Sequence, residues 1–299
     1  MDGRIKKLEE LKRKRNAVIL AHNYQRPEIQ DVADFIGDSL ALAMRAKEVE
    51  ADVIVFCGVN FMAESAKILN PDKVILHPDA DSRCPMAAMV NAEELLSFKK
   101  EKGMDVVSYV NTTADVKAVS DICCTSANAV KVVKSMDSDV IFVPDSNLGK
   151  YVKRFVTDRD VILWPGFCPT HDDISREDMV KMKEAHPEAK VVVHPECRPE
   201  VIDMADSVAS TGGMVRYAME SDAREFIIAT EKEMCYRLKK EMPNKEFYCM
   251  ETAICPNMKK ITLDKVINAL EKMGPEILID NDIIEKARKP LERMMEIGR

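Results

Sequence analysis

The sequence has no long apolar run. No stretch approaches the roughly 20 apolar residues that a membrane-spanning helix needs. The N-terminus is charged from Asp2 onward and lacks the apolar core of a signal peptide. We therefore expect a cytoplasmic protein with no membrane partner.

Clusters of positive charge are also scarce. The formal net charge is −7, and the only basic run, Lys12 to Arg15, follows the acidic pair Glu9 and Glu10. Such a mixed segment is typical of a solvated helix face. An acidic chain with scattered Lys and Arg is a poor match for nucleic acid, so we do not expect nucleic acid as a partner.

The nine cysteines lack the context of a disulfide framework, because a reducing compartment favours free thiols or metal ligands. Cys84, Cys168 and Cys255 are each followed by proline, and they recur after 84 and 87 residues. The other six are not followed by proline, and we interpret them as small buried hydrophobes. These six are Cys57, Cys123, Cys124, Cys197, Cys235 and Cys249.

The same spacing runs through the rest of the chain. Apolar runs typical of buried strands end at His22, Tyr109 and His194. A hydroxyl residue then precedes each following helical pattern, in the position of an N-cap: Ser39, Ser126 and Thr211. Two more apolar runs follow in each unit. Each unit reads strand, helix, short strand, helix, strand, helix, strand and Cys-Pro.

Strands that alternate with helices predict parallel sheets covered on both faces. The fold class is therefore α/β, with three pseudo-threefold-related α/β/α three-layer domains around a central active site. We place the first repeat at residues 1–88, the second at 89–172 and the third at 173–260. The tail, 261–299, is helical and is expected to pack on the first repeat.

The repeated polar residues lie where such folds bind ligands, beyond the carboxyl ends of the strands. A helix N-terminus beside each hydroxyl would suit an anion. The plainer alternatives are a structural histidine and an ordinary helix cap, and a cap is compatible with anion binding. His77 and His186 are interpreted as structural.

Three thiolates that converge from three repeats would form a metal site. Their single, distant positions do not fit a zinc ribbon, which pairs its cysteines closely. A [4Fe–4S] cluster usually takes four thiolates, so three would leave one iron open to act as a Lewis acid. His171, three residues after Cys168, is either a donor behind the ligands or a surface residue.

The motifs "ILAHNYQRPEIQDVADFIGDSL", "RCPMA", "SYVNTTADVKAVSDICCTSANAV", "FCPTH", "VVVHPEC", "STGGM" and "ETAICPNMKK" resemble the quinolinate synthase family. The resemblance covers residues 16 to 260. It implies a transferase of NAD biosynthesis with one [4Fe–4S] cluster per chain, held by three cysteines. The implied reaction condenses iminoaspartate with dihydroxyacetone phosphate and releases quinolinate, phosphate and two waters. A transient handover from the enzyme that makes iminoaspartate is a further expectation.

The resemblance also implies residue roles. The cluster ligands would be Cys84, Cys168 and Cys255, and no cysteine follows Cys255. Tyr24 matches a catalytic tyrosine of the family, and our catalytic candidates are His22, Tyr24, Tyr109 and Glu196, with Glu196 proposed as acid/base. The residues expected to bind substrate are His22, Ser39, Tyr109, Asn111, Ser126, His194, Glu196 and Thr211.

Two other functions stay open at this point. One is a different three-cysteine cluster hydro-lyase that acts on a small hydroxy acid, which product analysis would distinguish. The other is an iron–sulfur sensor without catalysis. A sensor would not need the His, Tyr, Ser, Thr and Glu residues of the predicted site, and no segment typical of a sensor's DNA or partner contact is present.

Overall fold

Three parallel sheets of four strands organise the computed structural model, which describes residues 3–298. The strands of the first sheet are β1 (Ala17–His22), β2 (Phe35–Gly37), β3 (Val53–Cys57) and β4 (Val74–Leu76). Those of the second are β5 (Asp105–Tyr109), β6 (Ile122–Cys124), β7 (Val140–Val143) and β8 (Val161–Leu163). Those of the third are β9 (Lys190–Val193), β10 (Ser207–Val208), β11 (Glu225–Ala229) and β12 (Glu246–Cys249).

Helices connect the strands and cover the sheets. The first repeat has α1 (Gly3–Arg15), α2 (Pro27–Val32), α3 (Ser39–Glu48) and α4 (Asn60–Leu69). The second has α5 (Ala92–Lys102), α6 (Ala114–Ala118), α7 (Ala129–Lys134), α8 (Ser146–Lys153) and the short α9 (Pro169–Asp172). The third has α10 (Arg176–Ala185), α11 (Pro199–Ile202), α12 (Thr211–Glu220) and α13 (Met234–Glu241), and the tail has α14 (Leu263–Lys272) and α15 (Asn281–Ile297). None of the described helices is both long and apolar enough to cross a membrane.

The three sheets share one topology, which confirms the predicted fold class. In each sheet the second strand lies at one edge, followed by the first, third and fourth strands, and all pairs are parallel. The order reverses between the first and third strands, and such a switch point leaves a crevice beyond the carboxyl ends. His22 and Tyr109 end their strands there, and His194 follows β9 directly.

Successive side chains along each strand point alternately into a core shared by the three repeats and into one of three outer cores. Ile54 and Phe56 of β3 point into the same central cluster as Phe142 of β7 and Phe226 of β11. Their neighbours on the strands, such as Val55, pack outward beneath the covering helices. Each fully buried side chain of this size contributes about 1.5–3 kcal/mol. One face of every sheet therefore holds the three repeats together.

The hydroxyl residues expected as helix caps are not the caps, so that prediction was wrong. Asp38 caps α3 by accepting from the N–H of Ala41, and Ser210 caps α12 by accepting from Gly213. Ser39 and Thr211 are the first residues inside these helices. Ser126 precedes the six-residue α7, whose N-cap is Asn128. Because the residue before each hydroxyl satisfies the helix N–H groups, Ser39 and Thr211 are not needed as caps.

Two cysteines interpreted as separate hydrophobes are joined, which corrects that interpretation. Cys235 of α13 and Cys249 of β12 form a disulfide. Since α13 packs on β12, their Cα atoms lie 6.2 Å apart, within bridging distance. The remaining four cysteines of that set of six are free and buried: Cys57, Cys123, Cys124 and Cys197.

The tail divides between two repeats, whereas the expectation placed all of it on the first. Helix α14 packs against α1 and β3 of the first repeat. Helix α15 contacts α6 and β6 of the second repeat and α4 of the first. Its apolar stripe, which includes Ala287, Leu291 and Met294, is buried in the central core. This long amphipathic helix thus bridges the two repeats.

Candidate functional site

One cavity lies where the carboxyl ends of the three sheets meet. All the residues that the sequence analysis proposed for the site line this cavity. They are His22, Tyr24, Ser39, Cys84, Tyr109, Asn111, Ser126, Cys168, His194, Glu196, Thr211 and Cys255. Each repeat supplies members of this set, so the cavity exists only when the three repeats are packed together.

The two strand-end histidines of the first and third repeats have the same local geometry. The backbone N–H of Tyr24 donates to His22 Nδ1 at 3.2 Å, and that of Glu196 donates to His194 Nδ1 at 3.4 Å. In each neutral ring the proton is therefore assigned to Nε2. Burial lowers the pKa of His22 to about 4. Burial, with the neighbouring His171, lowers that of His194 to about 3. Both rings are neutral donors at neutral pH.

The three Cys-Pro turns form one end of the cavity. Pro169 begins α9 directly after Cys168, and Pro85 precedes a 3-10 turn at Met86–Met89. A second 3-10 turn, Met258–Lys260, follows Cys255. Proline has no N–H and a fixed φ, so each turn begins with a stiff residue.

Backbone N–H groups are directed at each of the three sulfurs. Those of Met86 and Ala87 approach Cys84, and that of His171 approaches Cys168. Those of Asn257 and Met258 approach Cys255. Burial raises the pKa of all three thiols, and these N–H groups act in the opposite direction, as such bonds do for metal-bound thiolates. We define these three cysteines and their turns as the thiol end of the cavity.

The distances between candidate ligand atoms indicate which of them could bind a single metal ion. Among the described residues, one group of three ligand atoms lies within 4.8 Å of one another, and it comprises Cys168, His171 and Glu196. The three thiol-end sulfurs do not form such a group, although sulfurs bound to a single zinc would lie about 3.8 Å apart. The three sulfurs therefore do not match the ligand set of a single ion.

A chain of hydrogen bonds lies beside the thiol end, since His171 Nδ1 is 3.2 Å from Cys168 Sγ. The hydroxyl of Tyr24 lies 2.5 Å from Thr230 Oγ1, which lies 2.8 Å from His171 Nε2. His171 Nδ1 lies 2.7 Å from Glu196 Oε2. A carboxylate can only accept, so Nδ1 carries the proton and Nε2 of the neutral ring accepts from Thr230. Thr230 in turn accepts from Tyr24. We call these four residues the relay.

Two more side chains donate to the carboxylate of Glu196. Tyr109 donates to it and is itself hydrogen-bonded to Ser126. Asn111 Nδ2 donates to Glu196 Oε1 at 3.4 Å. Burial alone would raise the pKa of Glu196, but the adjacent His171, which donates a hydrogen bond to it, holds it well below the usual range. Burial raises the pKa values of Tyr24 and Tyr109 well above the ordinary phenol value. The relay thus joins a protonated phenol to an ionised carboxylate.

The hydroxyl residues lie on the cavity wall beside two helix N-termini. Ser39 begins α3 and Thr211 begins α12, each a helix of 10 residues. The Thr211 oxygen accepts from Asn23 Nδ2 at 2.6 Å, which leaves its own O–H free to donate. Donors at a helix N-terminus suit a carboxylate or a phosphate.

The sequence analysis missed several residues of the site. Thr230 and Glu231 were not singled out, and His171, left open between two interpretations, is a buried donor at 1% exposure. An apolar wall of Val59, Phe61, Met62 and Met258 was also missed, as were Asp38 and Thr170. Burial raises the pKa of Glu231, and Lys259 at 2.7 Å acts in the opposite direction. His77 lies outside this lining and is 3.0 Å from the Gly58 carbonyl.

Comparison with known proteins links this geometry to one family. The family described as "Quinolinate synthetase A protein" matches residues 6–296. The chain is 56% identical over 290 residues to quinolinate synthase of Thermodesulfovibrio yellowstonii, with 96% of each chain covered. It is 55% identical over 296 residues to "Quinolinate synthase 1" of Methanosarcina acetivorans, covering 98% of this chain and 97% of the relative. It is 54% identical over 300 residues to the quinolinate synthase of Desulforudis audaxviator, with 99% of each covered.

Proposed function

The chain belongs to the quinolinate synthase family, and from that premise we propose that it makes quinolinate in NAD biosynthesis. The proposed reaction is that of a transferase. It condenses iminoaspartate with dihydroxyacetone phosphate and releases quinolinate, phosphate and two waters. The observation that carries this proposal is the single cavity lined by residues from all three repeats.

The thiol end fits the cluster expected for this family. Cys84, Cys168 and Cys255 would hold a [4Fe–4S] cluster, one per chain, because three soft sulfur donors with N–H support face one cavity. When bound through three cysteines, the cluster supplies an iron with an open position, which acts as a Lewis acid toward a hydroxyl or carboxylate oxygen.

The other walls of the cavity suit two anionic substrates. Ser39 and Thr211, each at the start of a helix, and Ser126 would hold the carboxylates of iminoaspartate or the phosphate of dihydroxyacetone phosphate. His22 and His194 would donate from Nε2, and Asn111 would hydrogen-bond to the bound molecule. These neutral donors orient the substrates without adding a fixed charge to the buried site.

The relay would move protons during the condensation and the dehydrations. A substrate proton taken up at the Tyr24 oxygen displaces the phenol proton to Thr230, whose own proton passes to His171 Nε2. The Nδ1 proton of His171 then reaches Glu196. Each atom ends with a full valence, and one proton has moved from substrate to carboxylate. The reverse transfer returns a proton to a departing hydroxyl group.

Anaerobic reconstitution tests this function. The protein is loaded with iron and sulfide and given freshly made iminoaspartate and dihydroxyacetone phosphate, and quinolinate is sought by chromatography and mass. Cys168→Ala is tested in parallel, with Cys57→Ala as the matched control because Cys57 lies in an outer core. We expect quinolinate from the wild type and Cys57→Ala, and none from Cys168→Ala. A wild type with a full cluster spectrum and no quinolinate would overturn the proposal.

A further inference from the structure

Two adjacent lysines follow Cys255, and they have different surroundings. Lys260 donates to the Asp81 carbonyl at 2.7 Å near the surface. Lys259 turns inward, and its side chain is 13% exposed. A lysine is rarely placed so deep unless its charge has partners.

The partners of Lys259 come from the first and third repeats, and they include Glu233 Oε1 at 3.8 Å. Its Nζ is 2.7 Å from Glu231 Oε1, and the Glu231 side chain is 0% exposed. The same Nζ donates to the backbone carbonyl of Tyr24 at 2.6 Å. The backbone carbonyl of Lys259 accepts from Arg26 Nε at 2.8 Å. Two contacts therefore tie this residue to the segment that carries Tyr24.

Glu231 connects the same ion pair to the metal-ligand turn. Its Oε1 accepts from the backbone N–H of Cys255 at 3.3 Å, and its Oε2 accepts from that of Glu233 at 3.0 Å. Glu231 also follows Thr230, the second residue of the relay. A continuous set of contacts thus runs from the Cys255 turn through Glu231 and Lys259 to Tyr24.

We propose that Lys259 and Glu231 are positioning residues that couple the Cys255 turn to Tyr24. The pair holds Cys255 for metal binding and, through the same lysine, sets the position of the tyrosine that begins the relay. This inference rests on the proposed function, and it assigns to the two residues a role that the cavity lining alone does not indicate. Loading of the metal site and ordering of Tyr24 are then linked events.

Charge-neutral variants test the coupling. Lys259→Met removes the charge and keeps most of the length, and Lys260→Met is the matched control. Glu231→Gln and the double variant Lys259→Met/Glu231→Gln complete a cycle. Each protein is reconstituted anaerobically, and iron and sulfide per chain are measured. Two further readouts are the rate of cluster loss to a chelator and the values of kcat and KM for quinolinate, normalised to bound cluster.

We expect Lys259→Met to lose its cluster about 10- to 100-fold faster than wild type. Its kcat per cluster should also fall, with KM nearly unchanged, because Tyr24 is displaced while the anion-binding residues remain. Lys260→Met should match wild type. The double variant should be less impaired than the two single effects combined, because Lys259→Met alone leaves the buried Glu231 carboxylate without its cation.

Equal rates of cluster loss in Lys259→Met and Lys260→Met would overturn the proposal. A faster loss with wild-type kcat per cluster would overturn the coupling to Tyr24. A wild type that holds a full cluster but makes no quinolinate contradicts the proposed function instead, and the chelator rates still test the link to Cys255. Hydrogen exchange of residues 22–26, measured with and without metal, tests the link to Tyr24 independently of any activity assay.

Discussion

The thiol end and the relay lie side by side in the cavity, and they are built on different principles. At the thiol end each repeat supplies one cysteine from an equivalent position, and backbone N–H groups approach all three sulfurs. The relay instead joins residues of different kinds: Tyr24 comes from the first repeat, His171 from the second, and Glu196 and Thr230 from the third. Tyr24 and Glu196 each lie two residues after a strand-end histidine, but one is a phenol and the other a carboxylate.

This difference shows what a triplicated fold provides. Three equivalent turns around one axis produce converging donors of one kind, which is what a metal centre needs. A proton must move in one direction, from a phenol to a carboxylate, and that requires residues of different kinds in a fixed order. The repeats thus supply the proposed metal ligands by repeating one residue type, and the proposed relay by varying the residue type.

The largest expected effect tests the equivalence of the thiol end. Cys84→Ala, Cys168→Ala and Cys255→Ala should each abolish quinolinate formation and lower iron content to a similar degree, because each removes one ligand from one repeat. Iron and sulfide analysis with product assays measures this. One variant that keeps full iron and activity would contradict the assignment of that cysteine.

Glu196→Gln should lower kcat by about 100- to 10,000-fold. The amide still fills the space but cannot act as the final acceptor of the relay. Substrate should still bind, so the readouts are kcat together with a binding measurement. The control is Glu200→Gln, which makes the same substitution at an exposed position. Normal turnover in Glu196→Gln would remove this residue from the mechanism.

Thr230→Val should lower kcat about tenfold, since it removes the hydroxyl that joins Tyr24 to His171 and keeps the shape. Thr230→Ser restores the hydroxyl and should recover most of the activity. Steady-state kinetics of both variants at full cluster content measures the effect. If serine and valine impair turnover equally, packing rather than the hydroxyl explains the loss.

The smallest effect concerns stability and His22. Its folded pKa is about 4, below the ordinary value of 6.5, because burial disfavours the charged ring. Between these values the unfolded state binds a proton that the folded state does not, so stability falls as pH falls. The contribution lost from pH 7.5 to pH 5 is about 2 kcal/mol. Urea unfolding of wild type and His22→Gln measures it, and the variant should show a shallower pH dependence.

The repeated positions could be predicted because their recurrence at one spacing distinguishes them from other residues of the same types. The strand ends and the Cys-Pro turns recur at one spacing, and helix–strand alternation fixes which edge of each sheet they share. Thr230 gave no such signal: the residues after the third strand of each repeat are Gly58, Pro144 and Thr230. The residues three beyond each ligand, Ala87, His171 and Met258, also differ.

The other wrong predictions concern contacts that depend on the folded structure. The N-cap predictions failed by one residue because Asp38 and Ser210 also have capping side chains, and spacing alone cannot choose between adjacent candidates. The pairing of Cys235 with Cys249 depends on how α13 lies on β12. Lys259 and Lys260 are adjacent in sequence, and only packing distinguishes them.

The separation of the three sheets has a consequence for how the chain folds. Each sheet pairs strands from a single repeat, so its contacts can form early and locally during folding. The cavity needs all three repeats and forms only in the last assembly step. The proposed cluster would therefore be captured only by chains that have completed this step, and its binding would stabilise the docking of the repeats rather than the sheets themselves.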